Sequence, residues 1–264
     1  MPRSDDSVKI LAWDTSGRKG YLSALEIFSQ AESQESHFVR FSSVLDVDQQ
    51  QHSEGLLLGV SEALSATGWK LSDLSAFGVG VGPGSFTGVR IGLTTARTLG
   101  QMTGLPIVGV SSLEMLEQAV RQSQPLEQQP LLICIEACMG EVYCRWGSTR
   151  GSESSEQVLK LVQLEEYLEK YQTPDAGLVL AVLPDRWLDQ PVLARVFSRS
   201  PWQVIPLSSL SSHAEGLARL VARQWKVGGV VSALNAHPVY LRVSDAELNL
   251  KARENALRNR PSGG

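Results

Sequence analysis

The sequence predicts an α/β fold of two lobes, in which mixed β-sheets are connected by helical crossovers. Short apolar segments alternate with longer segments of helical periodicity, and this alternation occurs twice along the 264 residues. Strands that are separated by helices usually join mixed or parallel sheets. We therefore expect a first lobe over residues 1–110 and a second lobe over residues 111–242, although no internal sequence repeat is visible.

The first lobe is predicted to contain five strands and two helices. The segments whose apolar or alternating pattern predicts strands are Val8–Trp13, Tyr21–Phe28, His37–Val44, Phe77–Val81 and Ile107–Val110. Helices are predicted over about 53–66 and 86–102, ended by Gly68 and by Gly104 respectively. The resulting order of three strands, helix, strand, helix and strand predicts a mixed sheet.

The second lobe repeats the alternation. Strands are predicted at Leu131–Glu136, Glu141–Trp146, Gly177–Val182 and Trp202–Pro206, and helices at Ser112–Gln122, Leu164–Tyr171, Val192–Ser198 and Ser211–Val227. We expect the late helix at 211–227 to pack back onto the rest of the protein. His237–Arg242 should be extended, because proline at 238 disfavours helix before it. The polar tail over 243–264 is expected to be disordered.

Composition and charge argue against several classes of protein. The formal net charge is −4, whereas a protein that binds nucleic acid alone usually has a basic surplus. The stretch from Arg242 to Arg260 has five basic and three acidic residues; we expect a solvated tail there, with an RNA contact as the alternative. The N-terminus lacks a signal-peptide pattern, and no apolar run reaches the ~20 residues that span a bilayer. We expect a cytoplasmic protein without a membrane segment.

The cysteines and histidines do not form a recognisable ligand set. The three cysteines are Cys134, Cys138 and Cys144; no CxxC pair is present, and an odd count argues against a disulfide framework. The four histidines are at least fifteen residues apart, so no helix has a histidine pair at metal-ligand spacing. We expect no metal site.

The most informative segment is Val79–Gly92, with the sequence VGVGPGSFTGVRIG. A glycine-rich turn between a strand and a helix can bind phosphate through backbone N–H groups. Walker A is excluded because no lysine lies between Lys70 and Lys160, and Ser85 stands where the dinucleotide fingerprint needs glycine. The nucleophile elbow, Gly-x-Ser-x-Gly, is also excluded, because Pro83-Gly84 precede Ser85 and glycine does not stand two positions before the serine. Two interpretations stay open: an anion site, or a tight turn in which Ser85 or Thr87 caps the helix.

Gly82–Gly92 resembles the signature of the TsaB/YeaZ family. Three weaker matches follow the family's order along the chain: Asp14-Thr-Ser16, His52-Ser-Glu54 and Pro238-Val-Tyr-Leu-Arg242. The resemblance spans most of the chain and implies the two-lobe fold that actin, Hsp70 chaperones and sugar kinases share, the ASKHA fold. The chain departs from the family at Glu136-Ala-Cys138, where members usually have Asp-Ala-Arg, so the role of that arginine is in doubt here.

The resemblance also implies a function. Family members are non-catalytic scaffold subunits in the synthesis of N6-threonylcarbamoyladenosine at position 37 of tRNA. They bind the TsaD transferase and, with it, the TsaE ATPase. The resemblance thus implies no catalytic residue, no tightly bound cofactor, ATP or ADP contact only within the complex, and only indirect contact with tRNA. The isolated chain could form a homodimer. Two alternatives are an autonomous nucleotide-binding enzyme of the actin-like fold and, last, a peptidase.

Small residues recur on the two helices that the family uses for pairing. Several glycines inside a helix need a reason, since each costs roughly 1 kcal/mol relative to alanine. Close helix packing provides one, either between these two helices inside the lobe or against a second subunit. Leucine at Gly59 and Gly92 is then expected to abolish association while each lobe stays folded. The predicted interface residues are His52, Gly55, Gly59, Ala63, Gly88, Gly92, Leu93, Ala96 and Gly100.

A second predicted site lies at the signature turn. In the wider fold, an aspartate after the first strand helps to hold Mg²⁺ and phosphates. Here Asp14 is followed by Thr-Ser-Gly, which also favours an Asx turn that closes the hairpin; both interpretations stay open. The residues of this signature turn and candidate anion contact are Asp14, Thr15, Ser16, Gly82, Gly84, Ser85, Thr87 and Arg90.

Overall fold

The computed structural model of the chain describes residues 7–28, 37–45, 52–123, 129–147, 155–160, 163–164, 166, 179–189 and 202–241. Most of the predicted helix Leu164–Tyr171, all of Val192–Ser198, and the tail from 242 onward lie outside the described residues. Within the described ranges, no helix combines the length and hydropathy of a membrane span.

The first sheet has five strands in the order β3-β2-β1-β4-β5. β1 pairs antiparallel with β2 and parallel with β4, β3 extends the antiparallel edge, and β5 extends the parallel edge. The strands are β1 Ser7–Asp14, β2 Gly20–Phe28, β3 His37–Leu45, β4 Ala76–Gly80 and β5 Ile107–Val110. All five predicted strands are therefore present, and the mixed pairing is confirmed.

The second sheet has the same topology as the first, with every strand number raised by five. Its order is β10-β9-β6-β7-β8, with β6–β7 and β7–β8 antiparallel and β6–β9 and β9–β10 parallel. The strands are β6 Leu131–Glu136, β7 Glu141–Gly147, β8 Ser155–Lys160, β9 Val179–Leu183 and β10 Trp202–Pro206. β8 does not stand out in the sequence as a strand, because its first half, Ser-Glu-Gln, is polar. The two sheets are a structural duplication, which the sequence indicates only through the repeated order of its elements and not through a visible internal repeat.

Four helices complete the layers. α1 His52–Thr67 and α2 Phe86–Thr103 cover the outer face of the first sheet, while α3 Ser112–Ser123 and α4 His213–Lys226 lie between the two sheets. Alternation along β1 serves both layers: Leu11 and Trp13 face α1 and α2, and Ile10 and Ala12 face α3 and α4. A third apolar cluster, including Leu132, Cys134 and Trp187, covers the far face of the second sheet.

α4 belongs to the second lobe in sequence but packs on the first sheet. Ser23 of β2 donates a hydrogen bond to the carbonyl oxygen of Ala214 at 2.5 Å. Val221 lies against Gly78 of β4, where a β-carbon would come within 2.8 Å of a Val221 methyl carbon. The apolar core is therefore continuous from one sheet to the other through α3 and α4.

A buried charge network joins these middle helices to the second sheet. The guanidinium of Arg145 on β7 contacts three carboxylates: Glu117 at 2.7 Å, Glu156 at 3.0 Å and Glu114 at 3.6 Å. Arg121 binds Glu117, and Arg223 of α4 binds Glu114. Three arginines thus neutralise three glutamates. Burial alone would lower the pKa of Arg145, but the hydrogen bond and charge of Glu117, with the other glutamates, raise it.

Candidate functional site: the signature turn and the outer helices

The carboxyl ends of β1 and β4 bring the two matched motifs together. These strands are parallel neighbours, so the turn after Asp14 and the turn after Gly80 leave the sheet at the same edge. The Ser85 N–H donates to the carbonyl oxygen of Ser16 at 2.7 Å, and the Thr15 hydroxyl donates to the carbonyl oxygen of Gly88 at 2.7 Å. Two segments 73 positions apart thus hold each other through buried hydrogen bonds.

The glycines of the signature permit this close approach. A β-carbon at Gly84 would lie 2.6 Å from the carbonyl oxygen of Ser16, and one at Gly92 would lie 2.5 Å from the Thr15 hydroxyl oxygen. At Gly88 it would collide with the carbonyl oxygen of Thr15. The Trp13 indole N–H also donates to the carbonyl oxygen of Gly92 at 2.9 Å. Glycine at these positions lets α2 lie directly on the end of β1.

Ser85 caps α2. Its hydroxyl accepts a hydrogen bond from the Gly88 N–H at 3.2 Å, and its carbonyl oxygen accepts one from Val89 at 2.9 Å. The tight-turn interpretation is confirmed for Ser85, whereas Thr87 is exposed and does not cap the helix. Gly82 has a φ of 96°, which favours glycine, and its carbonyl oxygen accepts the Ser112 N–H at 2.9 Å.

Asp14 forms the predicted Asx turn but uses only one of its two oxygens. Oδ1 accepts the Ser16 N–H at 2.7 Å, while Oδ2 is buried and has no hydrogen-bond partner among the described residues. Gly80 lies beneath the carboxylate, where any larger residue would collide with it. A buried, half-satisfied carboxylate is costly, and its free oxygen fits the cation contact that the wider fold makes at this position.

An aromatic pair lies next to Asp14. Tyr21, the cross-strand partner of Asp14, stacks on His213 with ring centroids 4.3 Å apart. Burial, and secondarily the charge of Asp14, raises the pKa of Tyr21 to about 12. Burial lowers the pKa of His213 to about 4. Within the residues that the structure describes, no group of three or more histidine, cysteine, aspartate or glutamate side chains could hold a metal.

The predicted interface residues on α1 and α2 mostly face inward. Gly55 is half-buried, and His52 is the first residue of α1. The buried residues are Gly59, Ala63, Gly88, Gly92, Leu93, Ala96 and Gly100. Packing inside the lobe therefore explains why these residues are small. They lie chiefly against the strands of the first sheet and the turn after β1, rather than against the other helix.

This packing contradicts one part of the expectation for the leucine substitutions, that each lobe stays folded. A β-carbon at Gly59 would already lie 2.5 Å from a Leu45 methyl carbon, and one at Gly92 would press on Thr15. Leucine at either position would disrupt the lobe itself. A test of association has to change residues that point away from the sheet.

The same two helices expose large apolar residues on their outer side. The exposed fractions are 51% for Leu57, 64% for Leu58, 46% for Phe86 and 78% for Met102. Leu57 and Leu58 could have been found from the sequence, since they lie between the inward positions Leu56 and Gly59. We call this exposed set, Leu57, Leu58, Phe86 and Met102, the outer apolar face.

A strap formed by residues 227–241 runs alongside α2. Val231 pairs with Ile107 at the start of β5, and the Val239 N–H donates to the carbonyl oxygen of Val81 at 2.8 Å. Tyr240 lies beside Phe86, with ring centroids 5.4 Å apart. The strap therefore follows α2 from its carboxyl end to the signature turn. The matched Pro238-Val-Tyr-Leu stretch is the part that reaches this turn.

Glu136 ends β6 as Asp14 ends β1, so the duplication makes them structural equivalents. Glu136 forms an ion pair with Arg186, which lies after β9. Cys138 is exposed in the following turn, whose next residue, Met139, has a φ of 59°. Arg186 thus places a guanidinium beside Glu136 although residue 138 is not arginine.

Two sheets of identical mixed topology, with the acidic end of the first strand in each lobe, define a two-lobe protein of the actin-like ASKHA class. A family model described as "TsaD: tRNA N6-adenosine threonylcarbamoyltransferase" matches residues 45–176, half of the chain. The chain belongs to this family, and within it the chain is similar to the TsaB and YeaZ proteins.

Individual relatives agree with this assignment. The Escherichia coli "tRNA threonylcarbamoyladenosine biosynthesis protein TsaB" is 29% identical over 211 residues, which cover 77% of this chain and 86% of the relative. A "tRNA N6-adenosine threonylcarbamoyltransferase" of Ruegeria sp. is 28% identical over 57% of this chain and 39% of the relative. The solved structure of "YeaZ from Pseudomonas aeruginosa" has a TM-score of 0.66 and 28% identity, and covers 89% of this chain and 100% of that chain.

Proposed function

We propose that this protein serves the biosynthesis of threonylcarbamoyladenosine in tRNA as a non-catalytic subunit that binds a TsaD-type transferase. The names of its relatives support the pathway. The observation that supports the binding role is the outer apolar face. α1 and α2 bury their small residues against the first sheet and expose Leu57, Leu58, Phe86 and Met102 to solvent.

The shape of this face suits a second pair of helices. α1 has 16 residues and α2 has 18, so both extend over more than four turns. A specific interface needs about 800 Å² from each partner, and two helices of this length can provide much of that area. Large apolar residues exposed on one side of a protein are a common mark of an interface. A transferase related in fold to this chain would offer two equivalent helices.

The geometry of the signature turn supports a non-catalytic role. The N–H groups of Ser85, Gly88 and Val89 all donate within the chain. Fewer backbone donors are then left at the start of α2 to bind a phosphate. The turn's contacts with Ser16 and Thr15 favour a role in seating α2 on the sheet.

The remaining partners follow from this role and are part of the proposal. A TsaE-type ATPase would join through the transferase, with tRNA contacted only indirectly. ATP or ADP would be touched only within the complex. A homodimer of the isolated chain through the same face would compete with transferase binding. The protein would act in the cytoplasm, where tRNA is modified.

The first test is association with the TsaD-type transferase from the same source, measured by light scattering on a sizing column. The wild-type protein should form a stoichiometric complex. Leu58→Glu should weaken that complex at least about tenfold, because a charge would be buried in an apolar contact. The absence of any complex, even with ATP and the ATPase subunit present, would sink the proposal.

Val44→Glu is the matched control. Val44 is 60% exposed and lies on the same lobe, but on the opposite face of the sheet from α1. Its neighbour Leu45 faces Gly59 of α1, and side chains alternate along a strand. Val44→Glu should leave association unchanged. Equal losses in both variants would indicate a general effect of charge or folding rather than a specific face.

The second candidate function is nucleotide binding by the isolated chain. Oδ2 of Asp14 favours it, since this buried oxygen has no hydrogen-bond partner in the described part of the chain. Titration calorimetry with Mg-ATP distinguishes the two: tight binding that Asp14→Asn abolishes would support this candidate, and no heat would favour the scaffold.

A further inference from the structure

The two outer helices have opposite charge. α1 contains Glu54 and Glu62, both exposed, and no lysine or arginine. α2 contains Arg90 and Arg97 and no aspartate or glutamate. The face that they form together is therefore acidic along one helix and basic along the other.

The two arginines of α2 are held in place by the strap. The Arg90 guanidinium lies 3.7 Å from the centroid of the Phe86 ring, and its Nε donates to the Tyr240 hydroxyl at 3.0 Å. Arg97 donates to the carbonyl oxygen of Leu234 at 3.4 Å. Being seven residues apart, they lie on nearly the same side of α2, with a rise of roughly 10 Å between them.

Neither arginine has a carboxylate salt-bridge partner among the residues that the structure describes. This contrasts with Arg145, which contacts three carboxylates. A guanidinium that is already ordered loses less conformational entropy when it binds. Its planar fork suits a carboxylate, and arginine is enriched at interfaces.

We propose that Arg90 and Arg97 dock an acidic helix of the transferase partner, one with carboxylates two turns apart. Basic side chains of the partner would face Glu54 and Glu62 of α1. The charge division then sets the direction in which the partner's helices lie across the outer apolar face. This inference rests on the proposed function and names the chemistry of the partner's surface.

The test is the association rate with the TsaD-type transferase at low and high salt. The double variant Arg90→Glu/Arg97→Glu should associate at least about tenfold more slowly at low salt and lose most of the salt dependence. Reversing two facing carboxylates in the partner should restore the rate. Lys160→Glu/Lys226→Glu changes the net charge equally at exposed positions elsewhere and should associate like the wild type.

Two further variants separate charge from folding. Arg90→Gln/Arg97→Gln removes the charge without adding acid and should give a smaller loss in the same direction. Tyr240→Phe removes only the hydrogen bond to Arg90 and should leave the salt dependence intact. A folded double-reversal variant that associates like the wild type would overturn the inference while leaving the proposed function standing. A wild-type protein that fails to bind would overturn both.

Discussion

At the scale of single residues, His213 is a titratable group that the fold removes from water. It stacks on Tyr21, and its burial lowers its pKa from the ordinary 6.5 to about 4. The folded protein therefore keeps His213 neutral where the unfolded chain would protonate it. Between these two pH values the unfolded state binds more protons, so acid favours unfolding.

We predict that the free energy of unfolding falls by about 2–3 kcal/mol from His213 alone as the pH drops from 6.5 towards 4. Above pH 6.5 this contribution to stability should be complete. His213→Phe keeps a stacking ring and should flatten the pH profile over this range. Urea titrations at several pH values measure the slope. His237→Phe, at an exposed position, is the control and should leave the slope as it is; an unchanged slope in His213→Phe would contradict the prediction.

Sequence reasoning at the residue scale was most successful where a local pattern determines a local contact. The Asx turn of Asp14 and the cap by Ser85 both depend on residues two or three positions away. The unpartnered Asp14 Oδ2 and the neutral His213 could not be predicted, because each depends on neighbours brought together by the fold. Tyr21 and His213 are 192 residues apart in the chain.

At the scale of elements, the seat of α2 on β1 is the feature that the signature sequence encodes. The backbone of the first turn of α2 contacts the backbone of Thr15 there. Stability therefore depends more on the absence of a side chain than on helix propensity. Glycine to alanine in a helix interior normally gains about 1 kcal/mol. At Gly88 the added carbon would collide with the carbonyl oxygen of Thr15.

We predict that Gly88→Ala destabilises the protein by about 2–3 kcal/mol, opposite in sign to helix propensity. Thermal or urea unfolding measures the change. Thr94→Ala, at an exposed position of the same helix, should change stability by no more than about 0.5 kcal/mol. A stable Gly88→Ala protein would mean that α2 can shift away from β1 without cost.

The elements also show what the stripe of small residues encodes. A stripe of small residues predicts a close approach but not which neighbour makes it. The stripe of α2 meets Thr15 and Trp13 of its own lobe. The partner face has to be sought among exposed residues, and the strap that holds Arg90 comes from 150 residues further along the chain.

At the scale of the whole molecule, the two lobes share one core, and a charge network holds the second sheet to the helices that lie between the sheets. α4 packs on the first sheet, α3 packs on the second, and the two helices pack on each other. Arg145 links β7 and β8 of the second sheet to α3. Gly147 belongs to the same contact between β7 and α3, because a side chain there would displace the Glu117 carboxylate. We expect the lobes to unfold together rather than one after the other.

Arg145→Met should cost about 3–5 kcal/mol of stability, since Glu156 loses its ion pair and Glu114 and Glu117 each lose one of two arginine partners. It should also separate the unfolding of the two lobes into distinct transitions. Arg186→Met is the matched control: Arg186 also pairs with a glutamate but is 57% exposed, so its loss should cost at most about 1 kcal/mol. Calorimetry measures the loss of stability and the number of unfolding transitions. Equal effects of the two substitutions would contradict the prediction that Arg145 holds the second sheet to the middle helices.

The sequence by itself determined the order and type of most elements, the first-strand aspartate, the signature turn and the family. Hydrophobic periodicity and turn residues act over a few positions, and these features depend on nothing else. Only the tertiary structure decided that the second sheet duplicates the first, that α4 crosses to the first sheet, and that the small residues of α2 face inward. It also decided which charges join the network around Arg145, and which, like Arg90 and Arg97, have no carboxylate partner among the described residues. Those properties arise from contacts between residues far apart in the chain, which local patterns do not encode.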